Sequence, residues 1–164
     1  MSAPSVRPLA EADRPWASRL LAERWGSADI VTRGRVHRAD RLPGFVASQD
    51  GRRLGLVTYR LEGADCELVS LDSLAEGQGI GTALLKAVED EARAGGARRL
   101  WLVTTNDNLR AVEFYRRRGY RVAAVHRGAV VELRRLKPSI PLAGLDGIPI
   151  EDEIEMELVL GRSS

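Results

Sequence analysis

The stretch from Glu67 to Leu85 holds the residues whose spacing can do chemistry. Gly77, Gly79 and Gly81 stand at alternate positions, where a strand-like run over residues 66–71 gives way to Ile80, Leu84, Ala87 and Val88 at helical spacing. A glycine turn into a helix gathers unpaired backbone N–H groups at the positive end of the helix dipole, a setting for phosphate or pyrophosphate. Glycine matters there because a side chain would hold the anion away. Two phosphate loops fail on spacing. A dinucleotide fingerprint needs a third glycine where Thr82 or Leu84 stands. A triphosphate loop needs Gly-Lys-Ser/Thr, and no lysine lies between Gly77 and Lys86. A turn that only packs helix on strand accounts for one glycine, not for three at alternate positions.

Glu76-Gly77-Gln78-Gly79-Ile80-Gly81 resembles the acyl-CoA loop of the GNAT superfamily of N-acetyltransferases, Arg/Gln-x-x-Gly-x-Gly/Ala. Asn108-Leu109-Arg110-Ala111-Val112-Glu113-Phe114-Tyr115-Arg116-Arg117-Arg118-Gly119-Tyr120 is similar to that family's second element, Asn-x-x-Ala-x-x-Phe-Tyr-x-x-x-Gly-Phe/Tyr. The resemblance implies acetyl-CoA as co-substrate and roles for matching positions. Leu71, Asp72 and Ser73 would offer backbone groups to the thioester and pantetheine. Gly77, Gln78, Gly79, Ile80, Gly81 and Thr82 would hold the pyrophosphate, Asn108 would contact the pantetheine arm, and Tyr115 would sit near the sulfur. Glu76 departs from the pattern. A carboxylate beside a pyrophosphate is unfavourable unless it points away, so binding should rest on backbone donors or a distant arginine.

Transfer to an amine needs a neutral nucleophile, donors for the developing oxyanion and a proton for the departing thiolate. A backbone N–H near Leu71 suits the oxyanion, because fixed dipoles need little reorganisation. By its place in the matching motif Tyr115 is the acid, and its pKa near ~10 is close to a thiol's; the competing reading is a core aromatic one turn from Val112. Glu67 lies four residues before Leu71, so by period two both side chains share a face, and Glu67 could draw a proton directly or through water. A strand glutamate could equally pair with an arginine. Asp72 alternates away from Leu71 and is the weaker base. His126 is a rival base at a strand end. Acceptor cues point opposite ways: Arg33, Arg35 and His37, and Arg127 after His126, would favour an anionic group unless they are solvated loop residues, and Glu151-Asp152-Glu153 a cationic amine unless it is a charged turn.

Around these residues the punctuation reads as one α/β domain over 1–164. A helix is expected from Arg14-Pro15 to Trp25, closed by Gly26. Asp50-Gly51 between two strand-like runs predicts a hairpin, and residues 66–71 a third strand. Residues 27–43 lack a period and read as a partly helical, exposed connection. Strand, helix over 80–94 and strand over 98–105 make a crossover with parallel strands. A helix follows from Asn108, then a strand over 120–126, a charged stretch near Arg134 and Arg135, a Pro/Gly loop and a last strand near 154–160. The expected fold is GNAT-like: a mixed, mostly antiparallel sheet of six or seven strands with helices on both faces.

Composition sets the outer bounds. Of 164 residues, 44% are hydrophobic and 29% charged, which is globular chemistry. Twenty-five basic against 23 acidic residues leave a net charge of +2 with no polarised basic patch, so no nucleic-acid partner is expected. No apolar run reaches ~18 residues and the N-terminus lacks a signal-peptide core, so no membrane partner and a cytoplasmic location are expected. One cysteine and two histidines are too few for a classical zinc cluster, and no metal site is expected. The reading is an N-acetyltransferase acting directly on a primary amine of a small molecule or peptide. The alternative is a non-catalytic CoA-binding sensor of the same fold. A homodimer through edge strands stays open.

Overall fold

The computed structural model describes residues 3–161; the remaining residues of the expected 1–164 domain lie outside the described residues. In chain order its elements are β1 (Ser5–Pro8), α1 (Arg14–Trp25), β2 (Asp29–Thr32), β3 (Arg35–Arg38), β4 (Gly44–Gln49), β5 (Arg52–Glu62) and β6 (Asp65–Ser73). There follow α2 (Ile80–Ala94), β7 (Arg99–Thr105), α3 (Leu109–Arg116), β8 (Arg121–His126), α4 (Ala129–Leu136) and β9 (Glu153–Val159). Seven strands make a mixed, mostly antiparallel sheet and β2 with β3 a separate ribbon, within the expected count of six or seven. Among the described residues no helix is long and apolar enough to cross a membrane. The chain divides into two compact units: residues up to Ile30, Arg38–Leu100 and from Leu160 on, and Val31–His37 with Trp101–Val159.

In the first unit β1, β4, β5 and β6 are neighbours in that order, each pair antiparallel. The β4–β5 turn falls on Asp50 and Gly51, both left-handed at φ 51° and 77°, as an Asp-Gly hairpin requires. Pro15 opens α1 and Gly26, at φ 78°, closes it. Ala17, Leu20 and Leu21 of α1 bury against Ile30, Ala39, Val46, Leu56 and Val69. The neighbour of Leu56, Gly55, faces the other way, against α2. A Cβ there would come within 2.7 Å of Ile80 and 2.9 Å of Leu84, so only glycine lets the helix lie this close. Successive strand residues point to opposite faces, so α1 and α2 cover the two faces of β5.

The second unit holds α3, α4, the antiparallel pair β8–β9 and the tip of the β2–β3 ribbon. Two of its features were not expected. Within 27–43, expected to be partly helical, only Ala39–Arg41 makes a short helical turn; residues 29–38 form a hairpin, because Arg33 and Gly34 both take φ > 0 (48° and 76°) and supply the tight turn that Asn-Gly usually signals. The charged stretch near Arg134 is a helix, α4, which buries Val130 and Leu133, holds Arg134 half-buried beside them and leaves Arg135 exposed. Arg134 Nη2 then donates to the carbonyls of Pro141 and Ile150, both at 2.7 Å, and ties down the Pro/Gly loop.

Candidate functional site

The glycine turn is built by conformation rather than by packing. Gly77 and Gly79 have φ of 75° and 73°, and a Cβ added at either would meet nothing within 4 Å. The requirement is therefore the left-handed backbone, which non-glycine residues adopt at a cost of ~1 kcal/mol or more. Ser73 starts the turn: its Oγ donates to the Ala75 carbonyl at 3.1 Å, and the Leu74 amide bonds back to Leu54 O at 2.7 Å. Gly79 is the N-cap of α2 and brings no capping side chain; the first helical bond runs from Ala83 N to Gly79 O at 3.0 Å. The amides of Ile80 and Gly81 thus precede the helical ladder, and no acidic residue stands in the first turn. A 15-residue helix puts the positive end of its dipole at this point. Glu76 and Gln78 are exposed. Uncapped donors, positive potential and absent side chains suit a diphosphate.

Midway along β6 the strand breaks its alternation. Thr58 pairs with Ser70 but Tyr59 with Leu68, so Val69 is an extra residue, a β-bulge. Glu67 pairs with Arg60, Ser70 with Thr58 and Asp72 with Leu56, three β5 residues on one face, whereas Leu71 pairs with Val57 on the other. Simple period two puts Glu67 beside Leu71; the bulge puts it on the face of Ser70 and Asp72, the side covered by α1. Thr58 Oγ1 and Ser70 Oγ, 2.6 Å apart and buried, confirm the shared face. On that face Asp72, 8% exposed, accepts a hydrogen bond on Oδ2 from Trp25 Nε1 at 3.0 Å. Burial pushes the Asp72 carboxyl up, and the bond from Trp25 and the charge of Arg24 only partly oppose this. No sequence signal joins Trp25 to Asp72 across 47 positions.

In the second unit Asn108 caps α3, its Oδ1 accepting from Ala111 N at 3.2 Å, so its Nδ2 is the atom suited to donate to a ligand. Tyr115, on the same helix, is 7% exposed and meets the rings of Phe114 and Tyr120 edge-on at 5.1 and 5.5 Å. Arg33, in the ribbon turn, gives Nη1 to Glu153 Oε1 at 2.9 Å and its amide to Oε2 at 3.1 Å. Glu153 is 1% exposed, so Arg33 and Glu153, taken from the two opposite acceptor cues, pair with each other. His126 Nε2 lies 3.1 Å from Glu155 Oε1, and Arg35 is exposed at the start of β3.

Residues 7–120 match the model of the Acetyltransferase (GNAT) family. The chain belongs to the GNAT acetyltransferase family. It is therefore an acyl-CoA-dependent transferase, and its mixed sheet is the GNAT fold. A relative, the uncharacterized protein YdhI of Bacillus subtilis (strain 168), is 45% identical over 142 residues, covering 86% of this chain and 89% of that protein. The IAA acetyltransferase from Bacillus cereus ATCC 14579 is similar in fold, with a TM-score of 0.73 at 19% identity over 96% of this chain and all (100%) of that one. A GNAT family acetyltransferase from Elizabethkingia anophelis, crystallised with acetyl-CoA bound, has a TM-score of 0.70 at 17% identity over 98% and 100%.

Proposed function

We propose that this GNAT chain, acting over 1–164 as one domain, moves an acetyl group from acetyl-CoA directly to a primary amine of a small molecule or peptide. The observation that carries this reading is the uncapped N-terminus of α2 behind two left-handed glycines. The amides from Gly77 to Thr82, those of Gln78, Gly79, Ile80 and Gly81 included, would hold the diphosphate. The backbone of Leu71, Asp72 and Ser73 would receive the thioester and pantetheine, and Asn108 Nδ2 the arm's amide. The neighbour from Elizabethkingia anophelis, with acetyl-CoA bound, supports the donor.

The chain's own groups then divide the work. The Leu71 amide stabilises negative charge on the carbonyl oxygen as nitrogen attacks carbon and the carbon–sulfur bond breaks. Tyr115 gives its proton to the departing sulfur. Glu67 draws protons from the amine through water: its register partner lies three β5 residues from that of Leu71, ~10 Å along the strand. Direct transfer also fits the lone cysteine. Burial, with Glu67 and Glu91 nearby, pushes the Cys66 thiol up to about 12, which leaves no thiolate to carry an acyl group.

The test is thiol release from acetyl-CoA against amino acids, polyamines, aminoglycosides and peptide N-termini. Turnover is expected with at least one class, and Tyr115→Phe should slow it by roughly 10²–10⁴-fold while acetyl-CoA still binds. Binding without turnover across the panel would favour the sensor.

A further inference from the structure

Asp72 has a side chain that the roles above leave without a task, and its surroundings are unusual. It is a nearly buried carboxylate whose one hydrogen bond comes from a neutral donor, the Trp25 indole N–H on Oδ2, with the charge of Arg24 nearby but not bonded to it. Among the described residues Oδ1 has no hydrogen-bond partner. It is also absent from the fully enclosed, unpartnered polar atoms, which are Asp40 Oδ1 and Arg60 Nη1, so Oδ1 keeps contact with solvent. A buried carboxylate that only partly satisfies its lone pairs is costly unless a cation completes it. Its position says which cation. Asp72 follows Leu71 directly, ~3.3 Å along the strand, whereas Glu67 sits four β5 residues farther down the same face, ~13 Å from the Asp72 row. Of the β6 carboxylates on that face, Asp65, Glu67 and Asp72, Asp72 is the one a nitrogen attacking at the Leu71 amide would touch.

Resting on the acetyl-transfer reading, we propose that Asp72, its carboxylate set by Trp25, is a further catalytic residue that receives the acceptor's ammonium on Oδ1. Oδ1 takes one proton from the ammonium, and the neutral nitrogen forms the new carbon–nitrogen bond as the carbon–sulfur bond breaks. Tyr115 protonates the sulfur, and the second nitrogen proton restores Tyr115. The proton on Asp72 leaves through water toward Glu67 and solvent. Burial raises the affinity of Asp72 for that proton, which suits the exchange.

Two probes separate this role from a structural one: n-butylamine, a cation at neutral pH, and methoxyamine, uncharged there. Asp72→Asn should lower kcat/KM for n-butylamine about 100-fold or more. The loss with methoxyamine, which has no proton to surrender before attack, should stay under about tenfold, and acetyl-CoA affinity should be unchanged. Trp25→Phe, which removes the orienting donor but not the ring, should raise KM for n-butylamine roughly tenfold with kcat nearly unchanged. Equal losses of Asp72→Asn with both probes, full activity, or loss of acetyl-CoA binding would overturn the assignment while leaving acetyl transfer intact. A wild-type chain that turns over no amine would overturn both.

Discussion

Two aspartates of the first unit are buried to similar extents and are treated in opposite ways. Asp13, 1% exposed, accepts from both Arg7 Nη atoms at 2.6 and 2.8 Å, from Arg53 Nε at 2.9 Å and from the Ala10 amide at 2.8 Å. The Arg7 guanidinium, with the Ala10 amide and Arg53, holds its carboxyl far below the usual carboxylate range despite burial. Asp72 has one neutral donor, and burial pushes it up. A carboxylate with four donors around it joins β1, the start of α1 and β5. One left under-partnered at a strand end stores affinity for a proton and a cation. The difference separates a structural acid from one poised for chemistry.

The contrast can be broken at either aspartate. The larger effect is expected at Asp13. Asp13→Asn should cost about 1–2 kcal/mol, discounted because both guanidiniums are half-exposed, and lower the Tm by roughly 2–8 °C in thermal unfolding. Because its folded pKa is depressed, the stabilisation from Asp13 is present above the unfolded value of ~3.9 and is lost as pH falls below it. The gap between wild type and variant should therefore close in acid. A gap that persists unchanged at pH ~2 would mean the ion pairs contribute nothing. At Asp72 the sign reverses and the effect is smaller. A raised folded pKa means that the charged form weakens the fold at neutral pH and that this penalty fades as pH falls from the folded value toward the unfolded one. Asp72→Asn should thus raise the Tm slightly at pH 7 and leave it unchanged near pH ~3. A lower Tm at pH 7 would make Asp72 a structural residue like Asp13.

Local chemistry made much of this legible in the sequence. Pro15 and Gly26 bound α1 because a missing N–H suits a helix start and a left-handed residue suits its end. Asp50-Gly51 and the glycines at 77 and 79 mark their turns by the backbone they alone accept readily. The ribbon turn at Arg33-Gly34 hid because arginine is a poor marker of φ > 0, and there Glu153 holds it by the side chain and the amide. The bulge at Val69 has no marker either. Val69 and Ser70 are ordinary strand residues, and the extra residue exists only relative to β5. Without it, period two places Glu67 on the face of Leu71 instead of with Ser70 and Asp72. The pairing of Trp25 with Asp72 is a tertiary fact, fixed by how α1 packs on Leu56 and Val69.

The central claim is that the first amides of α2 grip the diphosphate of acetyl-CoA, and hydrogen–deuterium exchange of residues 77–82 reads it directly. Saturating acetyl-CoA should slow exchange there at least about tenfold, and acetyl-pantetheine, which lacks the diphosphate, should not. Unchanged exchange with acetyl-CoA bound, or equal protection by both ligands, would contradict it.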